Sequence, residues 1–367
     1  MSAQRGSVSR RKTKTGNIRW DARYRPDPKS RHITKTFDRK IDAETWLKAR
    51  LHELETGTHV DRSQAATTFS EFAEQWLDTR IDVSERTLNH NRSMLAHAVE
   101  AFGDYPISEI SRQRVQALLN AKTSTHSSNT VTHIRRVVRQ VLDFAVESRA
   151  IPRNVAAGKS VSVPKIERSE PVVVSLDEIV RIADAAPDQY RAMILLTATT
   201  GLRYSEVAGL RVRSFDRVAR TITVTNQLDR DTGELVPPKT KASRRTIKLS
   251  ESIVFVLARH LTEHVEADDL DAWLFTSPGG DRLHYGNFMK RVWKPLVSDC
   301  GHPDLGFHDL RHSHAAHLIE AGEHAKTIQS RLGHSSIKTT LDVYGHLMEG
   351  MDESAAAKLD DALRGII

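Results

Sequence analysis

The segment LGHSSIKTTLDVYGH, residues 332–346, combines a histidine, a run of small hydroxyl residues and a tyrosine. Gly333 is placed to end a helix, a serine after His334 can cap the next one, and Tyr344 lies on that second helix or turn. A phenol has a pKa near 10, so a tyrosine is a nucleophile only where its surroundings activate it and stabilise the charge it attacks. The segment is therefore a candidate for nucleophilic chemistry, provided that cations lie nearby.

Two further segments supply cations that suit a phosphate. In GFHDLRHSHAAHLIEAG, His308 and Arg311 are three residues apart and share a helix face. In TATTGLRYSEVAGLR, Arg203 comes at the start of a helix, where the macrodipole disfavours a cation unless an anion lies close. Pairing with Glu206 is the structural alternative for this arginine. Because arginine binds phosphate oxygens through two parallel hydrogen bonds and keeps its charge, the pattern predicts a phosphate site.

A metal site is the competing interpretation of the same histidines. His308 and His312 are four residues apart and could bind zinc from one helix face. The zinc-protease pattern also needs a glutamate directly after the first histidine, whereas this chain has Asp309 there and no third ligand in an obvious place. We therefore predict no metal and no other cofactor, and we interpret His312, His314 and His317 as packing or surface residues.

Composition indicates a globular protein with a basic pole. The 367 residues are 39% hydrophobic and carry a net charge of +7 at pH 7. Residues 1–40 hold thirteen lysines and arginines against three acids, so this segment carries +10 and the other 327 residues sum to −3. Such a pole suits nucleic acid, because phosphate neutralisation releases counterions; a solvated tail is the alternative. The single Cys300, and the lack of an apolar run long enough for a signal or a membrane span, predict a cytoplasmic protein without disulfides.

The elements that must position these groups begin with a small basic module at residues 1–62. About the first 15 residues lack periodicity and predict no regular structure. After them, NIRWDARYR and RHITKTFD alternate strand formers with basic residues, and DAETWLKARLHELETG has helical spacing. This pattern predicts a ββα-type module whose candidate DNA contacts are Arg19, Arg23, Arg25 and Lys35.

Residues 67–157 have a helical pattern throughout. Apolar residues recur at helical spacing in TTFSEFAEQWLDTR and in SSNTVTHIRRVVRQVLDFAVES, which predicts a four-helix-type bundle. The other face of the second segment carries arginines that suit a DNA backbone or serve solubility alone, namely Arg135, Arg136 and Arg139. Residues 158–171 are rich in Pro, Ser, Val and Lys without helical period, and they predict a linker between domains.

Residues 172–350 have the pattern of an α+β domain. TITVTNQ and RRTIKLS flank a segment rich in Asp, Gly and Pro, so we expect two paired strands among the helices. The tail at residues 351–367 again has apolar residues at helical spacing. The predicted fold class is therefore mainly α with small β elements, arranged as several domains.

The motifs TGLRYSE, HDLRH and LGHSSIKTTLDVYGH, in this order, resemble those of the tyrosine recombinases, the phage integrase family. This resemblance covers roughly residues 171–350. Residues 67–157 resemble the helical core-site DNA-binding domain of the family, and the module at residues 15–60 resembles the arm-site-binding domain of its lambda-type subgroup.

The resemblance implies a mechanism and the residues that perform it. A tyrosine attacks the scissile phosphate and forms a 3′-phosphotyrosyl link, arginines hold the developing negative charge, histidines shuttle or orient protons, and a lysine protonates the leaving 5′-oxygen. Neither ATP nor a metal is needed. The lysine lies in the segment PPKTKASRRTIKL, where Lys239 is the preferred candidate and Lys241 the alternative. The implied catalytic residues are Arg203, Lys239, His308, Arg311, His334 and Tyr344.

The implied substrate is double-stranded DNA with core-type and arm-type attachment sites, bound by a homotetramer. In that assembly the tail at residues 351–367 could pack on a neighbouring subunit or fold back in cis. Integration or excision of a phage or other mobile element fits better than chromosome-dimer resolution, because an arm-binding module lets one protein bridge two classes of site. A host DNA-bending protein and an excision factor are further expected partners. Two alternatives stay open: a type IB topoisomerase with the same phosphotyrosine chemistry, and a DNA-binding regulator that has lost catalysis.

Overall fold

The structure, a computed structural model, describes residues 6–14, 16–26, 31–166, 171–238, 240–265, 268–344, 356, 359–360 and 362–364. The chain divides into two units, with the boundary between residues 168 and 169, and each unit has apolar cores of its own. Within the described ranges, no helix is long and apolar enough to cross a membrane.

The first unit opens with a three-stranded antiparallel sheet covered by one helix. Its elements are β1 (Gly6–Lys12), β2 (Ile18–Tyr24), β3 (Ile33–Phe37) and α1 (Lys40–Glu55). Ala22 and Tyr24 from β2 pack against Ala43 and Leu47 from α1. The two predicted strands and the helix are confirmed, whereas the expectation of no regular structure at the start of the chain is wrong. β1 forms because every residue of it pairs with β2, which a pattern within GSVSRRK does not reveal.

The rest of the first unit is a bundle of amphipathic helices. Its elements are α2 (Arg62–Ala66), α3 (Phe69–Asp78), α4 (Glu85–Phe102), α5 (Arg112–Thr123) and α6 (Ser128–Glu147). Hydroxyl oxygens of Thr68, Ser84, Ser111 and Ser127 accept backbone hydrogen bonds from the first turns of α3 to α6, and they determine where these helices begin. The apolar stripes predicted for α3 and α6 are buried in one common core, so both are confirmed.

The second unit is mainly helical and contains two small antiparallel sheets. Its helices are α7 (Leu176–Ala185), α8 (Asp188–Thr200), α9 (Tyr204–Val207), α10 (Glu251–His264), α11 (Tyr285–Phe288), α12 (Lys294–Asp299), α13 (Asp309–Glu320), α14 (Ala325–Leu332) and α15 (Ile337–Tyr344). Its strands are β4 (Phe215–Asp216), β5 (Thr221–Val224), β6 (Gln227–Leu228), β7 (Leu235–Val236) and β8 (Arg245–Lys248). The antiparallel pairing of β5 with β8 confirms the two strands predicted from TITVTNQ and RRTIKLS.

Helix α8 organises the second unit. Most of its side chains are buried, and α7, α10 and α13 pack around it. Gly201 after α8 and Gly333 after α14 both have left-handed backbones, with φ of 68° and 67°, a conformation that favours glycine. Hydrogen bonds from Arg311 join both of these helix ends to the first turn of α13. The candidate site is built where these three helix termini meet.

Candidate active site

Arg311 lies at the centre of the candidate site and is 2% exposed. Its Nη1 donates to the carbonyl oxygen of Gly201 at 2.5 Å, and its Nη2 donates to that of Leu332 at 2.7 Å. Both acceptors end helices, where the negative end of the macrodipole stabilises a cation. Burial, and then the charge of Arg203, lower the pKa of Arg311 to about 9, so the guanidinium stays charged at neutral pH. The two carbonyls use two of its five N–H donors, which leaves the other three for an anion.

Gly201 lets the end of α8 approach the neighbouring helices this closely. A Cβ atom at this position would lie 2.6 Å from Cδ2 of Leu332 and 2.8 Å from Cδ2 of His314, well inside van der Waals contact. The left-handed φ also favours a residue without a Cβ. The glycine of the TGLRYSE motif is thus needed for its conformation and for the space around it, and its carbonyl holds Arg311.

A buried carboxylate organises two arginines beside Arg311. Glu206 is 1% exposed, and its Oε1 accepts a hydrogen bond from Nη1 of Arg203 at 3.0 Å. Arg245 donates to both carboxylate oxygens at 2.9 Å. Burial by itself would raise the pKa of Glu206, but hydrogen bonding and charge from Arg245, with the charge of Arg203, lower it overall. The structure thus shows the pairing of Arg203 with Glu206, and 33% of the Arg203 side chain stays exposed, so its role toward an anion stays a prediction.

Arg245 is a residue of the site that the sequence analysis missed. It begins β8, its side chain is 7% exposed, and its Nε donates to the carbonyl oxygen of Arg331 at 2.6 Å. Its partners Glu206 and Arg331 are 39 and 86 residues away along the chain, so no local spacing relates them. One signal exists: strand alternation places Arg245 on the same face as the buried Ile247.

His308 directly precedes α13 and remains accessible to solvent. Partial loss of hydration lowers its pKa, and repulsion from neighbouring cationic groups, His312 and Arg311 foremost, lowers it further, to about 4. The imidazole is therefore neutral at pH 7 as long as no anion offsets the surrounding positive charge.

His334 follows Gly333 in the turn after α14. Gln329 holds its backbone on both sides, because the N–H of His334 donates to the Gln329 carbonyl at 3.1 Å and Nε2 of Gln329 donates to the His334 carbonyl at 3.0 Å. Burial, and then the charges of Arg311 and Arg203, lower the pKa of His334 to about 4. The charges of Arg203 and Arg311 thus lower the pKa values of both His308 and His334.

Tyr344 ends α15 and is 2% exposed. Its ring packs in a small core with apolar side chains of α13 and α14, including Ile319 and Leu332. Burial raises the pKa of Tyr344 to about 12, although the charge of Arg311 opposes this rise. The hydroxyl of Tyr344 lies 2.6 Å from Nδ1 of His312.

The three histidines that follow in α13 differ in their surroundings. His314 is 5% exposed and packs against Gly201, and His317 bonds the carbonyl of Val174 at 3.0 Å, so both fit their interpretation as packing residues. His312, given the same interpretation, instead contacts the candidate nucleophile. The i, i+4 spacing of His308 and His312 drew attention to a metal and not to this contact, which depends on how α15 packs.

Arg230 is a second cation that the sequence analysis missed. It follows β6 in a polar turn, and its guanidinium carbon lies 4.0 Å from the ring centre of Tyr285. Its charge contributes to the lowered pKa of His308. A polar turn by itself indicates a surface loop, so only the folded chain relates Arg230 to this site.

The candidate lysine falls where the structure gives no side chain. Lys239 lies outside the described residues, and of Lys241 only the backbone is described, in a 3-10 turn at Lys241–Ser243. The choice between the two stays a prediction. In the described part of the chain, the side chains close enough to share a metal ion are Asp188, Glu263 and His264, and they include none of the candidate catalytic residues.

The N-terminal sheet carries two of the candidate DNA-binding arginines on its open face. Ala22 is buried against α1, so Arg19 and Arg23, which point the other way along β2, lie on the face away from the helix. Arg11, directly opposite Arg19 in β1, lies on the same face. Asp21 forms ion pairs there with Arg11 at 3.0 Å and with Arg23 at 3.9 Å.

Lys35 and Arg25 are placed differently. Lys35 is directly opposite Ala22, which puts it on the helix side of the sheet, and its Nζ lies 5.3 Å from the ring centre of Phe37. Arg25 follows β2, and its Nε donates to a histidine ring at 3.0 Å. The structure therefore separates Lys35 from the arginines of the open face.

The three candidate arginines of α6 also differ. Arg136 and Arg139 are exposed, and Arg139 lies 3.8 Å from the carboxylate of Asp143. Arg135 is half-buried and donates to backbone carbonyls of the segment after the helix, including that of Gly158. Arg135 thus has a structural role that the other two lack.

The fold and the site indicate one class of protein. Its members are mainly helical enzymes in which arginines and histidines lie around a buried tyrosine. Residues 173–350 match the model of the phage integrase family, and residues 69–160 match that of the phage integrase central domain, so the two matches cover about three quarters of the chain. The chain belongs to the phage integrase family. It is a tyrosine-type site-specific recombinase, and its partner is DNA.

Individual relatives agree with the family assignment. The prophage phiRv2 integrase of Mycobacterium tuberculosis is 29% identical over an alignment of 367 positions that covers 95% of this chain and 96% of that protein. The Tn1549 transposon integrase in complex with a circular intermediate DNA is 20% identical with a TM-score of 0.69, and the match covers 81% of this chain and 99% of that one. A lambda integrase tetramer bound to a Holliday junction is 17% identical with a TM-score of 0.57, covering 89% and 95%. These structural similarities confirm the predicted fold class.

Proposed function

We propose that this recombinase integrates or excises the DNA of a phage or another mobile element, and that it cuts and rejoins strands through a 3′-phosphotyrosyl link to Tyr344. The placement of Tyr344 carries the proposal: its hydroxyl is held in a buried site close enough to Arg311 for that charge to act on its pKa. The prophage and transposon integrases among its relatives support the mobile-element role.

In this proposal Arg203 and Arg311 bind the non-bridging oxygens of the scissile phosphate. The carbonyls of Gly201 and Leu332 fix the guanidinium of Arg311, so its remaining donors need little reorganisation when negative charge develops. A single preorganised donor of this kind contributes about 3 kcal/mol to the stabilisation of a transition state. Arg203 is positioned by the carboxylate of Glu206, which accepts a hydrogen bond from its Nη1.

His308 and His334 complete the contacts to the phosphate. Each neutral imidazole has one N–H donor, and an incoming phosphate raises both pKa values because it offsets the arginine charges. The leaving 5′-oxygen needs a proton, and we assign its donation to Lys239, with Lys241 as the alternative. The phosphotyrosyl link conserves the energy of the broken phosphodiester bond, so the resealing step can reverse these roles.

We further propose a division of work along the chain. Residues 1–62 bind arm-type sites, residues 67–157 bind core sites, residues 158–171 join them to the catalytic domain at 172–350, and the tail at 351–367 contacts a neighbouring subunit. The open-face arginines, with Arg136 and Arg139, would contact DNA phosphates. Most of the tail lies outside the described residues, so its packing in trans stays a prediction.

The assembly would be a homotetramer on DNA in the bacterial nucleoid, helped by a host DNA-bending protein and an excision factor. The tetrameric lambda integrase on a Holliday junction supports the homotetramer.

The test is formation of a covalent protein–DNA adduct. The protein is incubated in EDTA with a nicked suicide duplex carrying the junctions of host and element, and adducts are counted on a denaturing gel. We expect an adduct for the wild type, none for Tyr344→Phe, and a wild-type amount for Tyr105→Phe, which removes the hydroxyl of a 39% exposed tyrosine. An adduct from Tyr344→Phe would show that Tyr344 is not the nucleophile. If none of the proteins formed an adduct, the result would favour a DNA-binding regulator.

A further inference from the structure

The hydroxyl of Tyr344 contacts a side chain that none of the roles above uses. The oxygen lies 2.6 Å from Nδ1 of His312, and the ring centres are 5.6 Å apart. His308 stands edge-on to His312 with ring centres 5.1 Å apart, but among the described residues no hydrogen bond joins His308 to the tyrosine. The hydrogen bond of the nucleophile therefore goes to the second histidine of HDLRH.

Tyr344 needs a proton acceptor more than an exposed tyrosine does. With a pKa of about 12, only about one phenol in 10⁵ is ionised at pH 7. A base within hydrogen-bond distance removes the phenol proton as the new bond to phosphorus forms, so the rare ionised state is not required. Tyr344 is only 2% exposed, so solvent has little access to it, and Nδ1 of His312 lies within hydrogen-bond distance of its oxygen.

His312 has the protonation state that an acceptor needs. Burial lowers its pKa below the ordinary value, the charge of Arg311 lowers it further, and Asp309 opposes both. Among the described residues, His308 and Tyr344 are the titratable groups whose rings contact that of His312. His312 is thus neutral at pH 7, and in the tautomer with the proton on Nε2 its Nδ1 accepts the phenol O–H.

We propose that His312 is the general base of the cleavage step, which makes it a catalytic residue. The proposal rests on Tyr344 being the nucleophile. As the Tyr344 oxygen forms its bond to phosphorus, its proton moves to Nδ1 of His312, the bond from phosphorus to the 5′-oxygen breaks, and that oxygen takes a proton from the lysine assigned above. On resealing, the 5′-hydroxyl attacks phosphorus and gives its proton back to the lysine, the bond from phosphorus to the Tyr344 oxygen breaks, and His312 returns its proton to that oxygen.

The substitution His312→Asn tests the proton transfer separately from the hydrogen bond. An asparagine amide oxygen can take the position of Nδ1 and accept the phenol O–H, but it does not take up the proton. Cleavage is measured on a suicide duplex with sulfur in place of the bridging 5′-oxygen, because sulfur leaves without an acid and only the base is then examined. The matched control is His317→Asn in the same helix, where the histidine bonds a backbone carbonyl.

We expect His312→Asn to cleave at least about 10²-fold more slowly than the wild type at pH 7, the typical contribution of a general base. Its rate should rise about tenfold per pH unit between pH 7 and 9, because the phenol must now ionise unaided, while the wild-type rate stays level. Cleavage by His312→Asn within threefold of the wild type, with a level pH profile, would overturn the proposal.

Two further measurements separate the ways in which the experiment can fail. Circular dichroism and noncovalent DNA binding report whether His312→Asn is folded. If it is not, His312→Ala with added imidazole replaces it. Failure of imidazole to restore cleavage by a folded His312→Ala protein would count against His312 as the base. The adduct assay with Tyr344→Phe tests the nucleophile itself. Cleavage by His312→Asn within threefold of the wild type and with a level pH profile, together with no adduct from Tyr344→Phe, would refute the base and leave the proposed function standing.

Discussion

The substitution Gly201→Ala is expected to destabilise the second unit by about 2–4 kcal/mol. Gly201 has a left-handed φ of 68°, and an alanine in this region costs about 1 kcal/mol of stability. The added methyl would lie 2.6 Å from Leu332 and 2.8 Å from the ring of His314, and forcing a methyl into a packed core costs about 1–3 kcal/mol. Urea unfolding followed by circular dichroism measures the loss as a lower midpoint with an unchanged slope.

The same substitution should slow cleavage, because the Gly201 carbonyl that holds Arg311 must move with its backbone. A displacement of about 1 Å at a positioning group costs about 10²-fold in rate. The matched control is Gly301→Ala, at another left-handed glycine of the same unit with no atom within 4 Å of the added methyl, which isolates the backbone cost of about 1 kcal/mol. If Gly201→Ala cost no more than Gly301→Ala, and cleavage were unchanged, the close approach of these helices would not position Arg311.

Two further outcomes follow from charge. The pKa values of His308 and His334 are about 4 in the free protein, and we expect a bound phosphate to raise them, so that DNA binding takes up protons. The affinity of the Tyr344→Phe protein for duplex DNA should therefore increase as the pH falls from 7 toward 5. Fluorescence anisotropy checks this, and a rise of the same size after both histidines are changed to glutamine would contradict it. For the N-terminal module, Arg23→Ala should lower the slope of log affinity against log salt by about 0.9. Lys35→Ala, on the opposite face, should lower it by less, and equal effects would argue against DNA contact at the open face.

The amphipathic helices of this chain can be predicted from the sequence of each helix alone, whereas its first strand cannot. The apolar stripe of α6 repeats with the helical period and is buried in the bundle core, because one helix face meets the core along its whole length. β1 has no such stripe, and five of its seven residues are exposed. Its stability comes from backbone bonds to β2, which depend on a second segment and leave no periodic pattern.

Within the site, the expected chemistry follows from residue types and short motifs. Arg203, His308, Arg311, His334 and Tyr344 could be picked out because each lies in a short motif beside a helix end, and the structure brings the two arginines, both histidines and the tyrosine into electrostatic contact. Their residue types predict a phosphate and a nucleophile without any knowledge of packing.

The hydrogen bonds and contacts that hold these groups become visible only in the folded chain. The partners of Arg311 are backbone carbonyls 110 and 21 residues away, and the contact between His312 and Tyr344 spans 32 residues. Glu206, which accepts a hydrogen bond from Arg203, and Arg245, which donates to Glu206, come from α9 and β8. A periodic pattern reports which face of one element is buried, whereas a hydrogen bond between two elements depends on the position of both, and that position exists only once the chain has folded.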